Sequence, residues 1–99
     1  CGYCISAVPK LNEIMEKYKN NLFKIFGINT HDNIEEIDKF YQKNQPNFKT
    51  LYDNSGKITD EYGVETFPTI VLIDKKGMVI YAGNFNQSEL EKLIKIALK

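Results

Sequence analysis

Two residues of this chain have the type and spacing to do chemistry together: the cysteines of Cys1-Gly2-Tyr3-Cys4, the only two in the sequence. A structural disulfide closing so short a loop restrains the unfolded chain very little. The pair therefore reads as redox or metal chemistry rather than as a staple. At a helix start, unpaired backbone N–H groups and the positive dipole end favour an anion. A thiolate at Cys1 is such an anion, so its pKa is expected below the free value of about 8.5. Cys4 follows one helical turn later on the same face. Its site is expected to be more buried, which disfavours the charged form. The expected division of labour is Cys1 as nucleophile and Cys4 as the resolving thiol that displaces whatever Cys1 has captured.

Other chemistries for the pair fare worse. Structural zinc needs four ligands, and beyond the two thiols the sequence offers His31 and carboxylates with no second cysteine pair, so no metal site is expected. A Cys–His hydrolase would need His31, the single histidine, beside Cys1. In its polar stretch His31 reads instead as solvated. An inert pair of thiols stays open. A second feature is Glu65-Thr66-Phe67-Pro68-Thr69-Ile70, a proline at the door of an apolar strand. Proline cannot donate to a ladder, so it belongs at the strand's first residue, and taken alone Pro68 is a strand-entry residue.

The elements that would position these groups follow from periodicity. From Cys4 to Tyr18 the residues Val8, Leu11, Met15 and Tyr18 recur at spacings of three and four, a helical stripe interrupted by Pro9. Residues 22–28 are almost continuously apolar, the pattern of a strand covered on both faces. A helix over 33–44 follows with Ile34, Ile37 and Tyr41 on its stripe; Asp32 and Glu35, or Asn33 and Glu36, would form its capping box. Gln45-Pro46 breaks it. Phe48 to Tyr52 reads as a short strand before a turn at Asp53-Asn54-Ser55-Gly56, and 57–62 as a short helix that Gly63 terminates. Strands 69–73 and 78–82, joined by Asp74-Lys75-Lys76-Gly77, make an antiparallel hairpin. The last helix opens on the capping box Asn86-Gln87-Ser88-Glu89 and carries Leu90, Leu93, Ile94 and Ala97 on one face.

Composition narrows the function classes. Ninety-nine residues support one domain. Thirteen basic residues, all lysine, balance thirteen acidic ones, which removes the electrostatic case for nucleic acid or an anionic membrane. The longest apolar run, Ile70-Val71-Leu72-Ile73, is far too short to span a bilayer. The order of helices and strands predicts an α/β fold with a mixed sheet.

Cys1-Gly2-Tyr3-Cys4 with Pro9 five residues after the second cysteine, then Phe67-Pro68-Thr69, the hairpin and a closing helix, resembles the thioredoxin superfamily over essentially the whole chain. The helix and short strand at about 30–53 are similar to the insertion of its TlpA-like or ResA-like thiol-disulfide oxidoreductases. The resemblance implies a three-layer thioredoxin-like fold and disulfide exchange with protein substrates through a mixed disulfide at Cys1, with no cofactor. It implies that Pro68 is a cis-proline facing the cysteines, that Thr66 and Phe67 offer backbone to an extended substrate segment, and that Gly2, Tyr3 and Phe67 wall the groove. An extracytoplasmic setting with a separate redox donor is also implied. Two other classes stay open: a non-catalytic thioredoxin-like interaction domain, and a peroxide-reducing relative.

Two departures from the family pattern carry expectations of their own. Family members run a buried strand directly into the first cysteine; none precedes Cys1 here, so strands 22–28 and 69–73 would face each other across a gap with unpaired backbone. The single domain 1–99 is therefore expected to be a fragment of a longer protein, or to take a strand from a second chain, unless the two strands pair directly. Ala7 stands where some ResA-like members carry an acidic residue, so their specialised role in haem-protein maturation is not transferred.

Overall fold

The computed structural model describes residues 2–30 and 33–99, with side chains from residue 4 onward. The elements in chain order are α1 (Gly2–Tyr18), β1 (Phe26–Asn29), α2 (Ile34–Asn44), β2 (Lys49–Tyr52), α3 (Lys57–Glu61), β3 (Ile70–Ile73), β4 (Val79–Gly83) and α4 (Gln87–Ala97).

Helix α1 accommodates Pro9 without ending. Its covered side is made by Ala7, Val8, Ile14 and Tyr18, while Leu11 and Met15 are only half-buried. The stripe read from the sequence thus pointed to the right side of the helix but missed Ile14, the most deeply buried large side chain described. The reason is tertiary: Ile14 and Tyr18 meet Ile94 of α4, and Phe23, Ile25, Leu72, Phe85 and Leu98 close round them. The core therefore lies between α1, α4 and β3. Tyr18 and Phe23 meet edge-to-face with centroids 5.9 Å apart. Outside that core, Lys17 Nζ lies 2.6 Å from Glu91 Oε1, tying the C-terminal end of α1 to the middle of α4.

The strand expected over 22–28 is shorter and displaced. Only Phe26–Asn29 is extended into a ladder, Leu22 is fully exposed, and Phe26 and Ile28 face outward. Among the described residues β1 has one neighbour, β2, in parallel register with Phe26 opposite Lys49 and Asn29 opposite Tyr52. A strand in a two-stranded ribbon is covered on one face, so the continuous apolar run does not produce two-sided burial. Gly27 leaves little room for a side chain in this ladder: a Cβ there would stand 3.2 Å from both the Phe48 ring and Thr50 Oγ1, so these side chains would have to shift by a few tenths of an ångström. β3 and β4 form a separate antiparallel pair, Ile70 opposite Gly83 and Leu72 opposite Tyr81, with a bulge at Leu72/Ile73. The mixed sheet expected from the sequence is thus divided into a parallel and an antiparallel ribbon. Among the described residues β1 and β3 do not pair, so each keeps an unpaired edge.

Local chemistry explains the connections. Asn33 caps α2, its side chain accepting from the Glu36 N–H at 2.9 Å; the alternative cap Asp32 and the neighbouring His31 fall outside the described residues. Ile34, expected on the covered stripe, is 64% exposed, because Ile37 alone seats this helix deeply. The chain leaves α2 through Gln45 at φ 47°, and Asn12 of α1 holds the exit: it accepts from the Asn47 N–H at 2.8 Å and donates to the Gln45 carbonyl. Asp53 ends β2 buried, its carboxylate accepting from both the N–H and hydroxyl of Thr59 at 2.9 Å. Gly63, at φ 66°, terminates α3. In the hairpin turn Asp74 Oδ1 accepts from the N–H groups of Lys76 and Met78, and Gly77 takes φ 85°. Asn86 caps α4 by accepting from the Glu89 N–H.

Candidate functional site

Cys4 lies in the first turn of α1, half-buried and disulfide-bonded. Cys1, the other half of the expected redox pair, lies outside the described residues, as do the expectations about its pKa and its place at the helix cap. Gly2 and Tyr3 belong to the first turn of α1, and only their backbone is described. That turn carries no acidic residue. The positive end of the helix dipole is therefore not neutralised by its own side chains.

Beyond Cys4, α1 forms one wall of a groove of about 500 Å³ through Ser6, Ala7 and Lys10. The facing wall is Thr66, Phe67 and Pro68, the three residues that the sequence singled out before β3. The Phe67–Pro68 peptide bond is cis. Thr69 Oγ1 donates to the Thr66 carbonyl at 2.5 Å, so one acceptor of this segment is engaged within the chain. The Phe67 ring is partly exposed and supplies apolar surface. Glu13 and Glu16 of α1 do not line the groove.

Asn84 and Phe85 complete the lining, and sequence reasoning did not select them. The signal was present in the hairpin. Antiparallel pairing sets Gly83 opposite Ile70, so the residues leaving β4 must lie beside the residues entering β3. The Tyr81 hydroxyl donates to the Asn84 carbonyl and fixes that exit. Phe85 also packs on the Ile14–Tyr18–Ile94 core, which joins the groove's third side to the centre of the fold. The groove can therefore hold an extended segment between a helix and a strand entrance, with apolar surface on two sides and hydroxyl and amide groups between.

The family model described as the AhpC/TSA family matches residues 1–82. The thiol-disulfide oxidoreductase ResA of Bacillus thuringiensis subsp. konkukian is 31% identical over 97 residues, covering 96% of this chain and 56% of the relative. ResA of Geobacillus kaustophilus is 28% identical over 94 residues, covering 93% of this chain and 54% of the relative. The chain thus spans about half the length of the curated relatives it matches. A crystal structure assigned as the thiol:disulfide interchange protein DsbE of Chlorobium tepidum superposes with a TM-score of 0.91 at 30% identity, over 100% of this chain and 73% of that one. A secreted Mycobacterium tuberculosis disulfide oxidoreductase superposes at 0.82 and 24% identity, over 97% of this chain and 73% of that one, a likeness of fold alone. The fold is thioredoxin-like, of the TlpA/ResA-like kind.

Proposed function

The chain belongs to the AhpC/TSA family, and on that premise we propose that it exchanges disulfides with protein substrates through Cys1 and Cys4. The Cys1 thiolate attacks one sulfur of a substrate disulfide, that S–S bond breaks, and the departing substrate sulfur takes up a proton. The Cys4 thiolate then attacks the Cys1 sulfur of the mixed disulfide and releases the second substrate thiol. Two electrons have passed to the substrate, and the chain is left with a Cys1–Cys4 disulfide. The opposite direction is the same sequence reversed. Gly2 and Tyr3 border the reacting sulfurs, and Thr66, Phe67 and Pro68 hold the substrate segment against α1.

The observation that carries this reading is the groove, which sets the helix bearing a disulfide-bonded Cys4 against the Pro68 segment. The uncompensated first turn of α1 supports thiolate at the cysteine nearest the helix start. The test is insulin reduction by the wild-type protein and by Cys1→Ser, with iodoacetamide alkylation of the thiols followed against pH. Turnover confined to the wild type, with an alkylation pKa at Cys1 below about 8.5, is the expected result. A wild type no faster than Cys1→Ser would leave a non-catalytic interaction domain. Consumption of hydroperoxide by the reduced protein would place it with the peroxide-reducing relatives.

The setting proposed for this exchange is extracytoplasmic, where disulfides persist. Among the described residues no helix is long and apolar enough to cross a membrane. The unpaired edges of β1 and β3, with Phe26 and Ile28 exposed, support the reading that an upstream segment or a second chain lays one more strand between them. Hydrogen exchange checks this: β1 and β3 amides should gain protection in a longer natural chain, and unchanged exchange would remove the idea.

A further inference from the structure

We propose that Lys10 sets the substrate preference of the groove, selecting chains that carry an acidic residue three or four positions from the reacting cysteine. The proposal rests on the exchange reading above and assigns that site a chemical class of substrate.

Lys10 is the only ionisable side chain among the described residues that line the groove. The others are small, aromatic or neutral polar, so no carboxylate in the lining offsets its charge. Among the described residues the ammonium has no partner. The ion pairs among the described residues engage Lys17, Lys19 and Lys57, and Lys10 enters neither an ion pair nor a side-chain hydrogen bond with any of them. Glu13, one turn further along α1, is not drawn to it. A cation on the wall of a groove, with no partner among the described residues, is available to whatever the groove holds.

The spacing follows from helix and strand geometry. The substrate is held at Cys1, and Lys10 is eight residues beyond Gly2, the first residue of α1 after it. At about 1.5 Å per residue that is roughly 12 Å along the helix. An extended substrate advances about 3.3 Å per residue, so the same span takes about four of its residues. A flexible lysine side chain widens this to the neighbouring position. Because Lys10 is exposed, the gain is that of a surface ion pair, about two- to fivefold in affinity, and it is screened by salt.

The test is fluorescence anisotropy with short fluorescein-labelled peptides in which serine replaces the central cysteine, flanked at the third and fourth positions by aspartate, alanine or lysine. The wild type is expected to bind aspartate peptides about two- to fivefold more tightly than alanine ones and lysine peptides most weakly, with the differences lost in 1 M salt. Lys10→Glu should reverse the order, its fold checked by circular dichroism. Equal affinities for the three peptides, or an aspartate preference that survives Lys10→Glu, would overturn the proposal. Insulin turnover separates the two levels. Turnover without charge preference removes the role of Lys10 and leaves the exchange reading standing. Charge preference without turnover does the reverse, leaving a groove that selects acidic segments without acting on them.

Discussion

Replacing Ile14 by alanine tests whether the groove is held in place by the core beneath it. Ile14 is 2% exposed and packs with Tyr18 and Ile94, and Phe85 joins that cluster to the groove lining. The substitution deletes three buried carbons at about 0.8 kcal/mol each. It also leaves a cavity between two helices that cannot fully collapse, which brings the loss to about 3–4 kcal/mol, within the usual range for such truncations. Against a total stability of roughly 5–15 kcal/mol this is a large fraction. At about 4–8 °C per kcal/mol for a domain of this size, the melting temperature should drop by about 15–25 °C. The assay is urea unfolding followed by circular dichroism, in which the midpoint should move while the slope stays constant. Ile34→Ala is the control: 64% exposed, it should cost less than about 0.5 kcal/mol. A loss below about 1 kcal/mol for Ile14→Ala, or equal losses for the two variants, would refute the placement of the core between α1 and α4.

Two further outcomes follow from local chemistry. The N–H of Thr59 holds the Asp53 carboxyl below its ordinary value of 3.8, against the opposing effect of burial and with help from the Thr59 hydroxyl. A carboxyl depressed in the folded state adds stability that is fully present above the ordinary value and is lost as pH falls through the folded one. The urea midpoint should therefore fall on acidification below about pH 4, more steeply in the wild type than in Asp53→Asn; parallel curves would contradict the assignment. Gly77 sits at φ 85°, with open space for 4 Å around the point a Cβ would occupy, so Gly77→Ala should cost about 1 kcal/mol from backbone conformation alone. Gly77→Asn should lose less, because asparagine tolerates positive φ; equal melting temperatures for the two variants would show that φ is not the cause.

Much of the fold was legible because its signals are local. The caps at Asn33 and Asn86, the Asp74–Gly77 turn and the ends of α2 and α3 each depend on side chains within a few residues. Pro68 could be singled out because proline has few places in a strand. Asn84, Phe85 and the charge of Lys10 were not legible as parts of a groove, since each gains its role from the chain opposite. The Asn12–Asn47 clamp was invisible for the same reason: its partners are thirty-five residues apart.

By itself, the order of residues determined the kinds of element and singled out the cysteine pair and the Pro68 segment, because thiol spacing, helix caps and turn glycines act over a single turn of chain. Tertiary structure decided which faces those elements cover. The run at 22–28 became a short strand with outward-facing Phe26 and Ile28, and Ile14 rather than Leu11 or Met15 became the deepest residue of α1. Burial belongs to a side chain only through its neighbours, and those neighbours come from α4, β3 and the exit of β4, far along the sequence.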